Sequence, residues 1–346
     1  MQSTRRVLLP QHISDQLAPE GAAIADYRGV SMGTSWSVRL CEAVTPGRAG
    51  RVDLQQGLQQ QLDLVVAQMS HWSDESDLGR FNRASAGSWQ VLPAAFCEVL
   101  GFALQVAEAS GGAYDPCAGA LVNRWGFGPR NRYDEVGFAP PAHDEVMDLL
   151  AQHRQQRLQC DLPARRVQQP GGLQLDLSAV AKGYGVDRLA RYLDSQGIAH
   201  YLVEVGGELR GAGSKPDGQP WWVVLEQVAG DEHVHLQPPE MMLALHGLSV
   251  ATSGDYRRFF QRGEVRFAHT IDPRSGMPVD NQLASVTVVH AQCMAADAWS
   301  TALTVMGVQD GLLLAEQQGL AARFVQRDGN SFRETLSSRM QAMLDD

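Results

Sequence analysis

The chain has 346 residues, 44% hydrophobic and 20% charged, enough apolar material for one large domain or two ordinary ones and too much for extended disorder. Its formal net charge is −10, and no basic run interleaved with aromatics offsets it, which argues against a nucleic-acid surface. Five cysteines, Cys41, Cys97, Cys117, Cys160 and Cys293, are odd in number, irregularly spaced and without a C-x-x-C, a pattern of free thiols in a reducing compartment.

In chain order, residues 1–27 are aperiodic and read as a disordered tail. Arg5 and Arg6 precede only Val7-Leu8-Leu9 before Pro10, too short for a signal segment, and no later stretch reaches membrane-spanning length. The expected location is therefore cytoplasmic, with no membrane anchor. Residues 36–40 alternate as a half-buried strand, and 54–69 carry apolar residues at helical spacing. A polar loop over 70–87 precedes a second amphipathic helix, 94–110, stopped by Gly111-Gly112. Residues 125–141, punctuated by glycine and proline, read as a surface excursion.

Residues 173–177 alternate as a strand that runs into a helix reaching Gln196. Strands are expected at 201–205, 221–225, 241–251, 268–271 and 285–290, and helices at 295–306 and 311–318. Short strand meanders with helices between them indicate an α+β protein with mixed or antiparallel sheets and packed helices rather than a doubly wound parallel sheet. Residues 28–335 are read as a single domain with room for a smaller subdomain, and 336–346 as a C-terminal tail.

Several constellations carry chemistry. In Ala295-Ala296-Asp297-Ala298-Trp299-Ser300-Thr301 a carboxylate and a hydroxyl stand four residues apart, on one face of a helix. Two hard oxygens at one point suit Mg²⁺, though the same pattern describes a solvated Asp and a Thr bonded to its own backbone. Asp176 through Tyr184 places small residues and Lys182 at the entry to a helix, either an anion site or an ordinary N-cap. Gly206-Gly207-Glu208 reads first as a tight turn, and Ala251 through Tyr256 as a turn or a phosphate loop. His269-Thr270-Ile271-Asp272-Pro273 joins a potential base to a carboxylate at a strand end. The stretches around Tyr114-Asp115 and His71-Trp72 set aromatics beside polar groups, fit to stack on a planar ring or to pack in a core.

Taken in order, these motifs resemble the ApbE family of FAD:protein FMN transferases. The series runs from Met32-Gly33-Thr34 and Met69-Ser70 through Ser76-Asp77-Leu78-Gly79-Arg80-Phe81-Asn82, Gly112-Ala113-Tyr114-Asp115-Pro116 and Asp176-Leu177-Ser178-Ala179-Val180-Ala181-Lys182-Gly183-Tyr184. It continues with Val205-Gly206-Gly207-Glu208-Leu209, Ala251-Thr252-Ser253-Gly254-Asp255-Tyr256, His269-Thr270-Ile271-Asp272-Pro273 and Ala296-Asp297-Ala298.

The resemblance implies an ApbE-like (T-fold-like) architecture and a Mg²⁺-dependent reaction. FAD would be cut at its pyrophosphate, AMP released, and FMN joined by a phosphoester to a Thr or Ser of an acceptor flavoprotein. Carried over by motif, Met32, Trp72, Ala113, Tyr114, Asp115, Asp176, Lys182 and Ile271 would contact FAD. The metal would be held by Asp297 and Thr301, with backbone carbonyls at Ala179 and Ser300. His269 is the first expectation for the base, with Asp272 and Asp255 as alternatives. Two positions depart from the family pattern: Trp72 stands where relatives often have Tyr, and Ser300 where they have Asp, Ala or Ser. With no export signal or lipid-attachment cysteine, the acceptor is expected in the cytoplasm or on a membrane protein's cytoplasmic face. An FAD pyrophosphatase and a non-enzymatic FAD-binding protein remain the competing readings.

Overall fold

The computed structural model describes residues 5–14, 16–42, 48–228, 238–256, 258–263 and 265–345. Its centre is an eight-stranded sheet in which every neighbouring pair is antiparallel. From one edge to the other the strands are Ser331–Leu336, Ala321–Asp328, Leu283–His290, Leu248–Gly254, Glu208–Ala212, Tyr201–Val205, Thr34–Glu42 and Ala23–Ser31. The alternation read at 36–40 has a direct cause: Trp36, Val38 and Leu40 are buried, while their neighbours face outward or pair across strands.

Two helices, Ser178–Ser195 and Cys293–Gln317, lie side by side against this sheet and join its main hydrophobic clusters. On another side, a three-stranded sheet packs with the short helix Ser338–Gln341 around Leu8, Trp221, Leu243, Val250, Val289 and Met340. No helix among the described residues is long and apolar enough to cross a membrane.

Several sequence expectations differ from the structure. The stretch read as an N-terminal tail contains strand Arg6–Leu8, paired in parallel with Met241–Leu245, and its last residues open the strand Ala23–Ser31. Residues 1–4 of that stretch lie outside the described residues. The C-terminal stretch likewise closes on the main fold through Ser338–Gln341, with Met340 in the core. The loop after Met69 contains helix Asp77–Asn82, N-capped by Ser76, whose hydroxyl accepts from the Gly79 amide at 2.8 Å. Residues 125–141 are a surface excursion only in part: 130–137 are mostly exposed, but the ends of the segment are not. Trp125, Phe127 and Phe138 are buried against Phe260, in an aromatic cluster supplied by a distant hairpin. Residues 241–251 form two strands, Met241–Leu245 and Leu248–Gly254, joined by a turn at His246-Gly247.

The contact between the two long helices positions the site. Gly183 faces the backbone of Cys293, and a Cβ there would lie 2.4 Å from the Cys293 carbonyl oxygen and 2.8 Å from Asp297 Cβ. Asp187, one turn further on, caps the neighbouring helix: its carboxylate accepts from the amides of Cys293 at 3.0 Å and Met294 at 2.9 Å. Burial pushes the Asp187 carboxyl up from its ordinary value, and those two amides with Arg210 pull it back. Asp187→Ala removes both charge-assisted bonds and leaves two buried amides unpaired. We expect it to destabilise the fold by about 3 kcal/mol, read as a shifted denaturant midpoint at unchanged slope.

Candidate active site

A cleft of about 390 Å³ opens where the start of the Ser178 helix, the first turns of the Cys293 helix and the ends of several strands meet. Met32, Trp72, Ala113, Tyr114, Asp115, Asp176, Ala179, Lys182, His269, Ile271, Asp297 and Thr301 all line it. These come from segments as far apart as residues 32 and 301, gathered by the antiparallel sheet and the helix pair.

Asp297 and Thr301 sit on the cleft-facing side of the Cys293 helix. Asp297 is only 4% exposed, and its Oδ2 accepts from the Gly183 amide at 2.9 Å. In a regular helix that amide would bond the carbonyl of Ala179, four residues earlier. The helix is irregular at this point, with Ala179 at φ −90° and ψ 19°, and the Gly183 N–H donates to Asp297. Ala179 and Asp297, from two different helices, both line the cleft. The Thr301 hydroxyl is held 3.0 Å from Ser253 Oγ, which also reaches Ser300 Oγ at 2.9 Å.

On the opposite wall, Asp176 accepts from the Ser178 amide at 2.8 Å and the Ser178 hydroxyl at 2.5 Å, and His71 Nδ1 lies 3.6 Å away. The expected strand at 173–177 does not form. Its alternation reflects burial of Leu173, Leu175 and Leu177, while its backbone bonds go to the side chains of Gln169 and Asn82 and to Gly119 and Pro116, with a single isolated bridge between Gln174 and Ala118. Asp115 is pinned by the Cys117 amide at 2.8 Å and His153 Nε2 at 2.9 Å. Between these carboxylates lies Tyr114, 5% exposed, whose buried hydroxyl has no hydrogen-bond partner among the described residues. Burial first, then the charges of Asp297, Asp176 and Asp115, hold its phenol well above the usual range. The hydroxyl is therefore a donor without an acceptor, a costly arrangement unless a ligand supplies one. Trp72 stands at the cleft rim, 48% exposed.

His269 donates from Nδ1 to the Arg258 carbonyl at 3.0 Å, because a carbonyl can only accept; Nε2 is then the basic nitrogen of the neutral ring. Three expected residues do not line the cleft. Both oxygens of Asp255 are held by Arg327, at 2.8 and 2.9 Å, with Arg266 at 3.4 Å. Asp272 is bound by the Arg274 guanidinium at 2.9 and 3.0 Å and by its amide at 2.9 Å. Neither carboxylate is placed to act as a base in the cleft. The Ser300 hydroxyl donates to the Asp297 carbonyl and meets Ser253 Oγ, and its own carbonyl accepts from Thr304, so both are engaged within the protein.

Glu208 belongs to the site although its sequence context does not single it out. It is 1% exposed, lines the cleft and accepts from the Lys182 ammonium. Its sequence signals are the Gly206-Gly207 turn before it and its place in the Val205-to-Leu209 motif, neither of which says where the side chain points. Among the described residues no group of three or more His, Cys, Asp or Glu is placed to hold a metal ion.

The cleft thus sets a lysine and a helix start, groups that can bind a phosphate, beside a wall of carboxylates that would repel one without a cation. The profile of the ApbE family matches residues 32–324, and the chain belongs to that family. It is 35% identical over 323 residues to an FAD:protein FMN transferase of Vibrio cholerae serotype O1, covering 91% of each chain. It is 31% identical to one of Escherichia coli K12, covering 91% of this chain and 88% of the other. Among solved structures, the flavin transferase ApbE of Vibrio cholerae superposes with a TM-score of 0.82 at 34% identity, over 93% of this chain and 99% of the other. The apo flavinyl transferase ApbE of Pseudomonas stutzeri gives 0.81 at 35% identity, over 93% and 97%.

Proposed function

We propose that the protein transfers FMN from FAD to a Ser or Thr hydroxyl of an acceptor flavoprotein and releases AMP. The observation that carries this reading, beside the family, is the charge balance of the cleft. Four carboxylates, Asp115, Asp176, Glu208 and Asp297, face two permanent cations, Lys182 and Arg258. A wall of net negative charge repels a diphosphate unless a divalent cation joins it. The available oxygens, the Asp297 carboxylate, the Thr301 hydroxyl and the Ala179 carbonyl, fit Mg²⁺, which takes hard oxygens and keeps several for water and phosphate. When bound there, Mg²⁺ would neutralise the diphosphate and polarise the phosphorus under attack.

The chain's own residues do the rest. Trp72 presents an indole face to a ring of FAD, and the Tyr114 hydroxyl donates to the bound ligand. Lys182 and the first amides of the Ser178 helix take up charge on the phosphate oxygens. The acceptor oxygen bonds to the FMN phosphorus as the bond to AMP breaks, and His269 Nε2 takes the hydroxyl proton. The five free thiols support a reducing compartment, the cytoplasm, as the place of action.

Stacking on an aromatic is worth about 1–3 kcal/mol per base, so Trp72→Ala is expected to raise the Kd for FAD by about 10- to 100-fold. Trp72→Tyr is expected to restore most of it, by fluorescence titration. His269→Ala is expected to slow transfer by about 10²- to 10⁴-fold while sparing FAD affinity. Normal turnover in that variant removes His269 from the base role. The function itself is tested by incubating the protein with FAD, Mg²⁺ and a candidate acceptor and reading flavin fluorescence on the denatured acceptor. Free FMN without labelled protein would mean hydrolysis, and unchanged FAD would mean binding alone.

A further inference from the structure

We infer that Glu208 is a positioning residue for Lys182, setting where the ammonium meets the reacting phosphate. Strands Tyr201–Val205 and Glu208–Ala212 are joined through Gly206 and Gly207, both at positive φ (62° and 98°), with Val205 paired to Glu208 across the turn. A Cβ on Gly206 would lie 2.8 Å from Thr34 Cγ2, so the turn is packed as well as tight. This geometry fixes Glu208 at the first position of its strand, with its carboxylate buried at the cleft wall.

A buried carboxylate needs a cation, and Lys182, on the Ser178 helix one turn past Ser178, supplies it. The pairing acts in both directions. A lysine carries its charge on a flexible four-carbon stem with three donors. With one donor committed to Glu208, the ammonium is tethered to the sheet. It stands on the same helix as Gly183, whose amide holds Asp297. Glu208 also offsets the lysine charge in the resting cleft, so the ammonium adds little to ground-state attraction for FAD. Its contribution falls on the oxygen that gains charge as the P–O bond breaks, which raises kcat rather than affinity.

This inference rests on the flavin-transfer reading, and its test separates the two. Wild type, Glu208→Gln, Lys182→Met and the double variant are compared for kcat of acceptor labelling and for Kd of FAD. The Gln side chain keeps an acceptor for the ammonium and removes the charge. Glu208→Gln is expected to lower kcat by about 10- to 100-fold with the Kd for FAD changed less than about threefold. In the Lys182→Met background the same substitution is expected to cost almost nothing further, because its effect passes through the ammonium. Glu208→Asp retains the charge and draws the carboxylate back by one methylene, and is expected to lower kcat at near-normal Tm. It serves as the second variant should Glu208→Gln fold poorly. Equal losses with and without Lys182, or unchanged kcat in both Gln and Asp variants, would overturn the positioning role. A wild-type protein that labels no acceptor would instead overturn the transferase reading.

Discussion

Asp297→Asn is expected to abolish FMN transfer while leaving the fold intact. Asn retains an oxygen that accepts from the Gly183 amide, so the helix contact survives, but the carboxylate that the proposed reading assigns to the cation loses its charge. A bound metal ion contributes several kcal/mol of charge stabilisation in reactions of this kind, corresponding to a rate loss of about 10³-fold or more. Fluorescent labelling of the acceptor reads the activity, and thermal denaturation in the absence of divalent cation reads the fold. Wild-type protein treated with a chelator should behave like the variant and recover when Mg²⁺ is restored; the variant should not recover. An Asp297→Asn protein with near-normal turnover would refute the assignment.

Gly183→Ala carries the second large effect, by a different route. The added Cβ meets the Cys293 carbonyl oxygen and Asp297 Cβ at distances real Cβ atoms do not adopt, and the first of these is backbone that cannot swing away. The two helices must separate. Overpacking of this kind costs about 3 kcal/mol. The same movement breaks the amide bond to Asp297 and shifts the Ala179 carbonyl relative to it. A displacement of about 1 Å at a reacting centre costs about 100-fold in rate. Stability and turnover should therefore fall together, measured by denaturant titration and acceptor labelling. Gly197→Ala offers a control. Gly197 follows the end of the same helix at φ 74°, and a Cβ there would meet no described atom within 4 Å, so the substitution strains backbone without touching the site.

Much of the cleft was legible because its signals are local. The i, i+4 pair Asp297 and Thr301 and the Ala179-to-Lys182 helix start follow from helical periodicity, and both face the cleft. What depends on distant partners was not legible. Leu173, Leu175 and Leu177 alternate like a strand because every second residue is buried, yet the backbone of Leu175 is satisfied by the side chain of Asn82, about ninety residues earlier, and that of Leu173 by the side chain of Gln169. The Trp125–Pro141 stretch carries enough glycine and proline to read as exposed, and only the hairpin bearing Phe260 and Phe267 shows why its aromatics are buried. Asp255 and Asp272 lie near His269 in sequence but are claimed by arginines, one of them 72 positions away in the chain. Glu208 shows the converse: two glycines before it mark a turn, and only the sheet shows that the carboxylate is turned inward against Lys182.

The most direct measurement is a crystal structure of the protein soaked with FAD and Mn²⁺, with anomalous scattering used to place the metal. The account predicts one manganese peak between Asp297, Thr301 and the Ala179 carbonyl, shared with the FAD diphosphate, and an FAD ring against Trp72. A peak elsewhere, or FAD bound outside this cleft, would contradict it.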